Sequence, residues 1–169
     1  YMRYNRLRDL GLTEDQIKDN LMFTVDKVGE TMTIAMRTKD AAQWFGVAPP
    51  DLTVIARSRG ADWLYTYLRE FYRDPSRPTG WNNRLFPSVA MPHVLAPLQG
   101  IQVLKVEEST DAHGQKVETQ HLVLETPGRL TSVEYDRLVG DLVNYLVYMG
   151  EPAAMSRVPI GIGVLLFLA

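Results

Sequence analysis

The segment APPDLTVIARSRGADWLYTYL, residues 48–68, carries the clearest fold signal in this 169-residue chain. Two adjacent prolines, Pro49 and Pro50, extend the backbone, and Asp51 after them can cap a short helix over 52–57. A longer helix is predicted over 63–72, because apolar residues recur there at helical spacing. The segment therefore predicts a mainly α domain with two helices beside a proline-rich turn.

Two more helices are predicted upstream of this segment. Thr13 and Gln16 have the spacing of a capping box, and they precede a helix of about three turns. A second amphipathic stretch covers 35–45 and stops at Gly46. Two helices are therefore expected before the proline pair.

The most regular helical pattern lies near the end of the sequence. Thr131 or Ser132 caps this helix, Glu134 stands at capping-box spacing, and the apolar stripe continues to Gly150. The run VPIGIGVLLFLA, residues 158–169, then has no charged side chain, whereas a membrane-spanning helix needs about 20 apolar residues. We expect this run to begin such a helix and the sequence to be partial at both ends.

The middle of the chain departs from the helical pattern. Five prolines in the range 73–100 exclude regular helix or central strand from most of it, and an irregular stretch of this length is usually functional. The strand-like runs 101–106 and 122–125 flank a polar tip that contains His113, which predicts a β-hairpin.

Composition excludes several classes of function. Lys and Arg total 18 against 20 Asp and Glu, so no strongly basic face for nucleic acid is expected. The absence of cysteine removes disulfides, thiolate catalysis and thiolate metal ligands from this chain. The three histidines lack the spacing of a helical metal pair, and the common catalytic and phosphate-binding motifs are missing. An enzyme acting through its own side chains is not expected.

Met91 is the candidate metal ligand of the proline-rich loop NNRLFPSVAMPHVLAPLQG, residues 82–100. Its thioether is a soft, neutral donor, and as an axial ligand with histidine it raises the potential of a haem iron. Methionine is more commonly a core residue, so both interpretations stay open at this point. His93 is either a competing ligand or a polar neighbour.

Arginines form the second suggestive group. Arg3 and Arg6 lie in MRYNRL, and Arg57 and Arg59 lie in IARSRG. Guanidinium groups can bind carboxylates such as haem propionates through two hydrogen bonds. Each arginine taken alone is more typical of a surface charge.

Taken in order, YMRYNRLRDLGLT (1–13), APPDLTVIARSRGADWLYTYL (48–68) and LFPSVAMPHVL (85–95), followed by a capped helix and an apolar run, resemble cytochrome c1 of bacterial type. That family is the membrane-anchored c-type cytochrome of the cytochrome bc1 complex. The resemblance implies a class-I-like cytochrome c fold with a β-hairpin excursion. It also implies a haem domain over 1–150 and the start of a C-terminal transmembrane anchor over 152–169.

The resemblance further implies haem c as cofactor, attached through a CxxCH motif that this sequence lacks. A partial sequence explains this departure better than a haem-free protein does. Met91 would be the distal axial ligand through its sulfur, and Arg59 would pair with a haem propionate. The other implied haem-contacting residues are Pro49, Pro50, Leu52 and Ile55 in an apolar wall, together with Tyr4, Arg6, Trp63 and Leu95.

The implied function is electron transfer, as a subunit of ubiquinol–cytochrome c reductase rather than an enzyme by itself. The donor would be the Rieske iron–sulfur protein, the acceptor cytochrome c, and cytochrome b a further partner. The haem domain would lie on the periplasmic side of the bacterial inner membrane.

The predicted hairpin tip is acidic, and it can steer a basic cytochrome or be a solvated loop. Its acidic residues are Glu107, Glu108, Asp111 and Glu118. Two alternative functions remain open from the sequence. One is a soluble periplasmic monohaem cytochrome whose apolar tail is a core helix, and the other is a haem-free interaction or assembly module.

Overall fold

The computed structural model of the chain describes residues 2–110 and 116–169 and combines helices with two small antiparallel sheets. A 3-10 helix covers Tyr4–Leu10. The other elements, in chain order, are α1 (Glu14–Asn20), α2 (Thr38–Phe45), α3 (Ile55–Arg59), α4 (Ala61–Arg69), β1 (Phe71–Arg73), β2 (Trp81–Asn83), α5 (Ala96–Gln99), β3 (Gly100–Thr110), β4 (Lys116–Pro127), α6 (Ser132–Gly150) and α7 (Ala154–Leu168). The expectation of a mainly α fold therefore holds only in part.

The elements divide into two compact units. The first unit comprises Tyr1–Gly60 and Asn144–Ala169, and the second comprises Ala61–Val143.

The first unit is built around an apolar cluster near its N-terminal end. Its buried members are Met2, Tyr4, Leu7 and Ile17. The hydroxyl of Tyr148 donates a hydrogen bond of 2.6 Å to the backbone oxygen of Arg6, which ties the end of α6 to the 3-10 helix. The 3-10 helix was not predicted, because it has neither a side-chain cap nor an acidic first turn.

The predicted capping box at the start of α1 is confirmed. The Thr13 hydroxyl accepts from the Gln16 N–H at 3.2 Å, and the Gln16 side chain accepts from the Thr13 N–H at 2.9 Å. The helix is shorter than expected, since it covers seven residues and ends at Asn20. Similarly, α2 begins at Thr38 rather than at 35.

The position predicted for the short helix after the proline pair is wrong. Asp51 does not cap a helix at 52. Its carboxylate instead accepts from the N–H and hydroxyl of Thr53 at 2.8 and 2.6 Å, which closes a local turn. The helix α3 consequently starts only at Ile55.

The second unit contains the end of the predicted helix 63–72, and there too the boundary was wrong. α4 stops at Arg69, and Phe71 begins strand β1, where it pairs with Asn83 of β2. Helical spacing in the sequence cannot reveal this pairing, because the partner strand is ten residues away. Together β2 and α5 also interrupt the range 73–100, which is otherwise mostly loop as predicted.

The predicted hairpin is confirmed and is longer than its two apolar runs. β3 and β4 pair antiparallel from Gly100 opposite Pro127 to Thr110 opposite Lys116. Gly100 is required at the base of the hairpin, because its φ is +99° and a Cβ there would lie 2.3 Å from the backbone oxygen of Thr126. Of the predicted tip, Asp111 and His113 lie outside the described residues.

The helix α6 is confirmed with its predicted cap. Its first part packs in the second unit, where Val139 is fully buried and the Tyr135 hydroxyl donates to the Leu68 backbone oxygen at 2.9 Å. The following helix α7 has 15 residues. Among residues 2–110 and 116–169, no helix is long and apolar enough to cross a membrane, so the transmembrane part of the fold prediction is unsupported.

Replacing Thr131 by alanine should destabilise the chain by about 1 kcal/mol, because it removes a helix N-cap. The Thr131 hydroxyl accepts from the Glu134 N–H at 3.4 Å, and the Glu134 carboxylate accepts from the Thr131 N–H at 2.9 Å. The measurement is the free energy of unfolding in urea. Ser132→Ala, at the exposed next position, is the control and should change it little. Equal effects of the two substitutions would contradict a capping role.

Candidate functional site

Met91 lies in the loop between β2 and α5, and its side chain is partly buried. Its sulfur accepts a hydrogen bond from the hydroxyl of Tyr67, with 3.5 Å between oxygen and sulfur. Burial raises the pKa of Tyr67, so its hydroxyl keeps its proton and remains a donor. Since a thioether sulfur has two lone pairs, one of them remains for a metal when the hydroxyl occupies the other.

Aromatic contacts hold Tyr67 in place on α4. Its ring stacks on Trp63 at 4.8 Å between centroids and meets Phe71 edge-to-face at 5.1 Å. Trp63 also contacts the ring of Phe86 edge-to-face at 6.2 Å. The predicted residues Met91 and Trp63 are thereby joined through Tyr67, a residue that no sequence motif marks.

Two buried asparagines in β2 organise the loop that leads to Met91. Asn83 is fully buried, and its side-chain oxygen accepts from the N–H groups of Leu85 and Phe86, both at 3.0 Å. Asn82 accepts from the N–H of Ser88 at 2.9 Å. The sequence held one signal for this role, because asparagine commonly bonds nearby backbone in turns.

His93 packs between aromatic rings two residues after Met91. Its ring is parallel to that of Phe71 at 4.8 Å and contacts Trp81 edge-to-face at 5.2 Å. Burial lowers the pKa of His93 to about 4, so its imidazole is neutral near pH 7. Leu95, the remaining predicted residue of the second unit, is partly buried and precedes α5.

The other predicted haem-contacting residues belong to the first unit. The proposed apolar wall is open to solvent: Pro49, Pro50 and Leu52 are exposed, with Leu52 at 48%, and Ile55 is partly buried. Arg59 is exposed at the end of α3.

Tyr4 and Arg6 take structural positions within the first unit. Tyr4 is 4% exposed and belongs to the apolar cluster. The guanidinium of Arg6 lies 3.2 Å from the carboxylate of Asp9.

The Met91 sulfur has the chemistry of a ligand for haem iron. Across residues 2–110 and 116–169, no cluster of three or more His, Asp or Glu side chains can hold a metal ion, and the sequence has no cysteine. The Met91 sulfur is a soft donor, and it keeps one lone pair that the Tyr67 hydroxyl does not occupy.

No family model matches the chain. It is 56% identical over 168 residues to the ammonia monooxygenase gamma subunit of Nitrosomonas europaea, covering 99% of this chain and 67% of that protein. It is 50% identical over 169 residues to cytochrome c1 of Allochromatium vinosum, covering 99% of this chain and 69% of that protein. The chain belongs to the cytochrome c1 family, whose cofactor is covalently bound haem c. The resemblance noted from the sequence is thereby confirmed.

Proposed function

We propose that the chain transfers electrons within a cytochrome bc1 complex, from the Rieske iron–sulfur protein to cytochrome c, with cytochrome b as a further partner. The observation that carries this proposal is the 50% identity to cytochrome c1 over 99% of the chain. Haem c, when bound, supplies the one-electron redox centre. The chain itself makes and breaks no substrate bond, which agrees with the lack of catalytic motifs in its sequence.

Each site residue has a role in this proposal. Met91 would bind the haem iron through its sulfur, and this neutral thioether would stabilise reduced iron and so raise the reduction potential. Arg59 pairs with a propionate, because a guanidinium binds a carboxylate through two hydrogen bonds. The remaining haem-contacting residues are Pro49, Pro50, Leu52, Ile55, Tyr4, Arg6, Trp63 and Leu95.

We also propose that residues 152–169 begin a membrane anchor and that the haem domain, a class-I-like cytochrome c fold, faces the periplasm. The support for the anchor is the exposure of α7, in which apolar side chains on every face are more than half exposed. These side chains are Val158, Ile160, Ile162, Val164, Leu165, Leu166, Phe167 and Leu168. Transferring them from water to lipid is favourable by about 25 cal/mol per Å² of apolar surface.

A second candidate function is that of a subunit of an ammonia monooxygenase. The 56% identity to a protein of that name favours it. The two candidates differ in their partners, so purification of the complete protein from native membranes separates them. We expect a b-type cytochrome and a Rieske protein to copurify; copurification with monooxygenase subunits in their place would favour the second candidate.

The direct test is rapid mixing of the purified complex with ubiquinol. We expect the c-type haem absorbance to show reduction within one turnover, followed by reoxidation when oxidised cytochrome c is added. A complex whose c-type haem stays oxidised while quinol is consumed would contradict the proposal.

Neutralising the acidic hairpin residues should slow association with a basic cytochrome by about tenfold at low ionic strength, because opposite charges steer encounter. Glu107 is 71% exposed and 3.5 Å from His121, and Glu118 is exposed on β4. The four substitutions are Glu107→Gln, Glu108→Gln, Asp111→Asn and Glu118→Gln.

The measurement for this set is the second-order rate of cytochrome c reduction as a function of salt. A control with the same net charge neutralises four exposed carboxylates of the first unit, Asp15, Asp19, Asp26 and Glu30. We expect the control to keep a nearly wild-type rate. An unchanged rate in the hairpin variant at low salt would remove the steering role.

A further inference from the structure

We infer that Asn83 is a positioning residue for the Met91 sulfur, and this inference rests on the proposed function, in which Met91 is the distal ligand. Asn83 is fully buried although its side chain is polar. A buried amide is retained at low cost only when its hydrogen bonds are satisfied. The Asn83 amide bonds to the backbone of helix α4 and to the backbone of the loop 84–95, called the ligand loop below because it carries Met91.

The Asn83 amide joins two segments of the second unit. Its oxygen accepts from the Leu85 and Phe86 N–H groups, both at 3.0 Å. Its nitrogen donates to the backbone oxygen of Tyr67 at 2.8 Å. This side chain therefore links the ligand loop to the last turn of α4, in addition to the backbone pairing of β1 with β2.

Tyr67 completes the link to the ligand. Its backbone oxygen is bonded by Asn83, and its hydroxyl donates to the Met91 sulfur at 3.5 Å. The ring that carries this hydroxyl stacks on Trp63 at 4.8 Å between centroids. Asn83 thus acts on the sulfur by two routes, one through the loop backbone and one through the Tyr67 side chain.

Asn82 closes the far end of the same loop. Its oxygen accepts from the Ser88 N–H at 2.9 Å, and its nitrogen donates to the Asp74 carboxylate at 2.9 Å. Ser88 has a φ of +63°, a left-handed conformation that a residue with a side chain adopts only when its surroundings impose it. Side-chain hydrogen bonds therefore take the place of regular secondary structure in this loop.

The arrangement has a redox consequence. A hydrogen bond from Tyr67 withdraws electron density from the sulfur and makes it a weaker donor to oxidised iron. With haem bound, the reduced iron would be favoured relative to the oxidised iron, and the reduction potential of the haem would rise. Loss of the hydroxyl should lower the potential, and a loosened loop should also weaken the iron–sulfur bond itself.

The test uses the complete, haem-loaded protein in its complex. Asn83→Asp keeps both acceptor bonds but loses the donor to Tyr67, and Tyr67→Phe removes only the hydroxyl. The matched controls are Asn144→Asp, at an exposed asparagine, and Tyr65→Phe, on the same helix as Tyr67. The readouts are the reduction potential and the methionine-to-iron charge-transfer absorption of the oxidised protein, at equal haem content.

We expect Tyr67→Phe to lower the potential while the charge-transfer band remains, and Asn83→Asp to lower the potential and weaken the band. Both controls should match wild type. If Asn83→Asp does not assemble, Asn83→Ser, which introduces no charge, takes its place with the same expectation. The inference would be overturned if Met91→Leu loses the band but the Asn83 variants keep the wild-type potential and the wild-type band. A band that survives Met91→Leu would overturn the ligand assignment, and the inference with it.

Discussion

Met91→Leu should leave the haem covalently attached but lower its reduction potential by on the order of 0.1–0.3 V, within the roughly 0.8 V that axial ligands control. Leucine matches methionine in volume and is usually tolerated in packing. The loss of the sulfur is therefore the main change. Quinol-to-cytochrome turnover should fall at least about 100-fold, since a haem of low potential is reduced poorly by its donor.

The measurements are a redox titration of the c-type haem and steady-state turnover of the complex. Met36→Leu is the control, because it makes the same chemical change at a partly buried position of the first unit. It should leave both quantities unchanged. An unaltered potential in Met91→Leu would show that another residue binds the iron.

Phe71→Ala should destabilise the second unit by about 3–5 kcal/mol, the range for truncation of a buried phenylalanine. Phe71 is fully buried, and its ring contacts both Tyr67 at 5.1 Å and His93 at 4.8 Å. Its removal leaves a cavity beneath the ligand loop. The loss in this variant should exceed that of Thr131→Ala.

The corresponding measurement is denaturant unfolding of the complete protein, followed by tryptophan fluorescence. Phe23→Ala, at a side chain that is 81% exposed, is the control and should cost less than about 0.5 kcal/mol. If Phe71→Ala lost no more stability than Phe23→Ala, the packing described here for the second unit would be incorrect.

Local signals in the sequence were sufficient for several elements. Both capping boxes, at Thr13 and Thr131, are present as predicted, because a cap depends on residues only three positions apart. The hairpin formed by β3 and β4 was also predictable from two apolar runs around a polar tip. These features need no information about distant parts of the chain.

Features that depend on distant partners were missed. The end of α4 at Arg69 follows from the pairing of Phe71 with Asn83, which helical periodicity cannot show. The turn at Asp51 was mistaken for a helix cap, because an aspartate side chain can accept from a backbone N–H in a helix cap and in a local turn alike.

The candidate site shows the same division. Met91 was identified from its proline-rich loop, and the structure adds a hydrogen-bond donor to its sulfur. Tyr67 and Asn83 were missed, because a helical tyrosine and an asparagine in a loop-like stretch are unremarkable until their contacts are known. The ligand role of Met91 stays a prediction, whereas the contacts of Tyr67 and Asn83 could be read only from the structure.

The central claim is that the Met91 sulfur binds the haem iron of an electron-transfer subunit. Its most direct test is the methionine-to-iron charge-transfer absorption of the oxidised, complete protein, compared between wild type, Met91→Leu and Met36→Leu. We expect the band in wild type and Met36→Leu and its loss in Met91→Leu. A band absent from wild type, or present in all three, would contradict it.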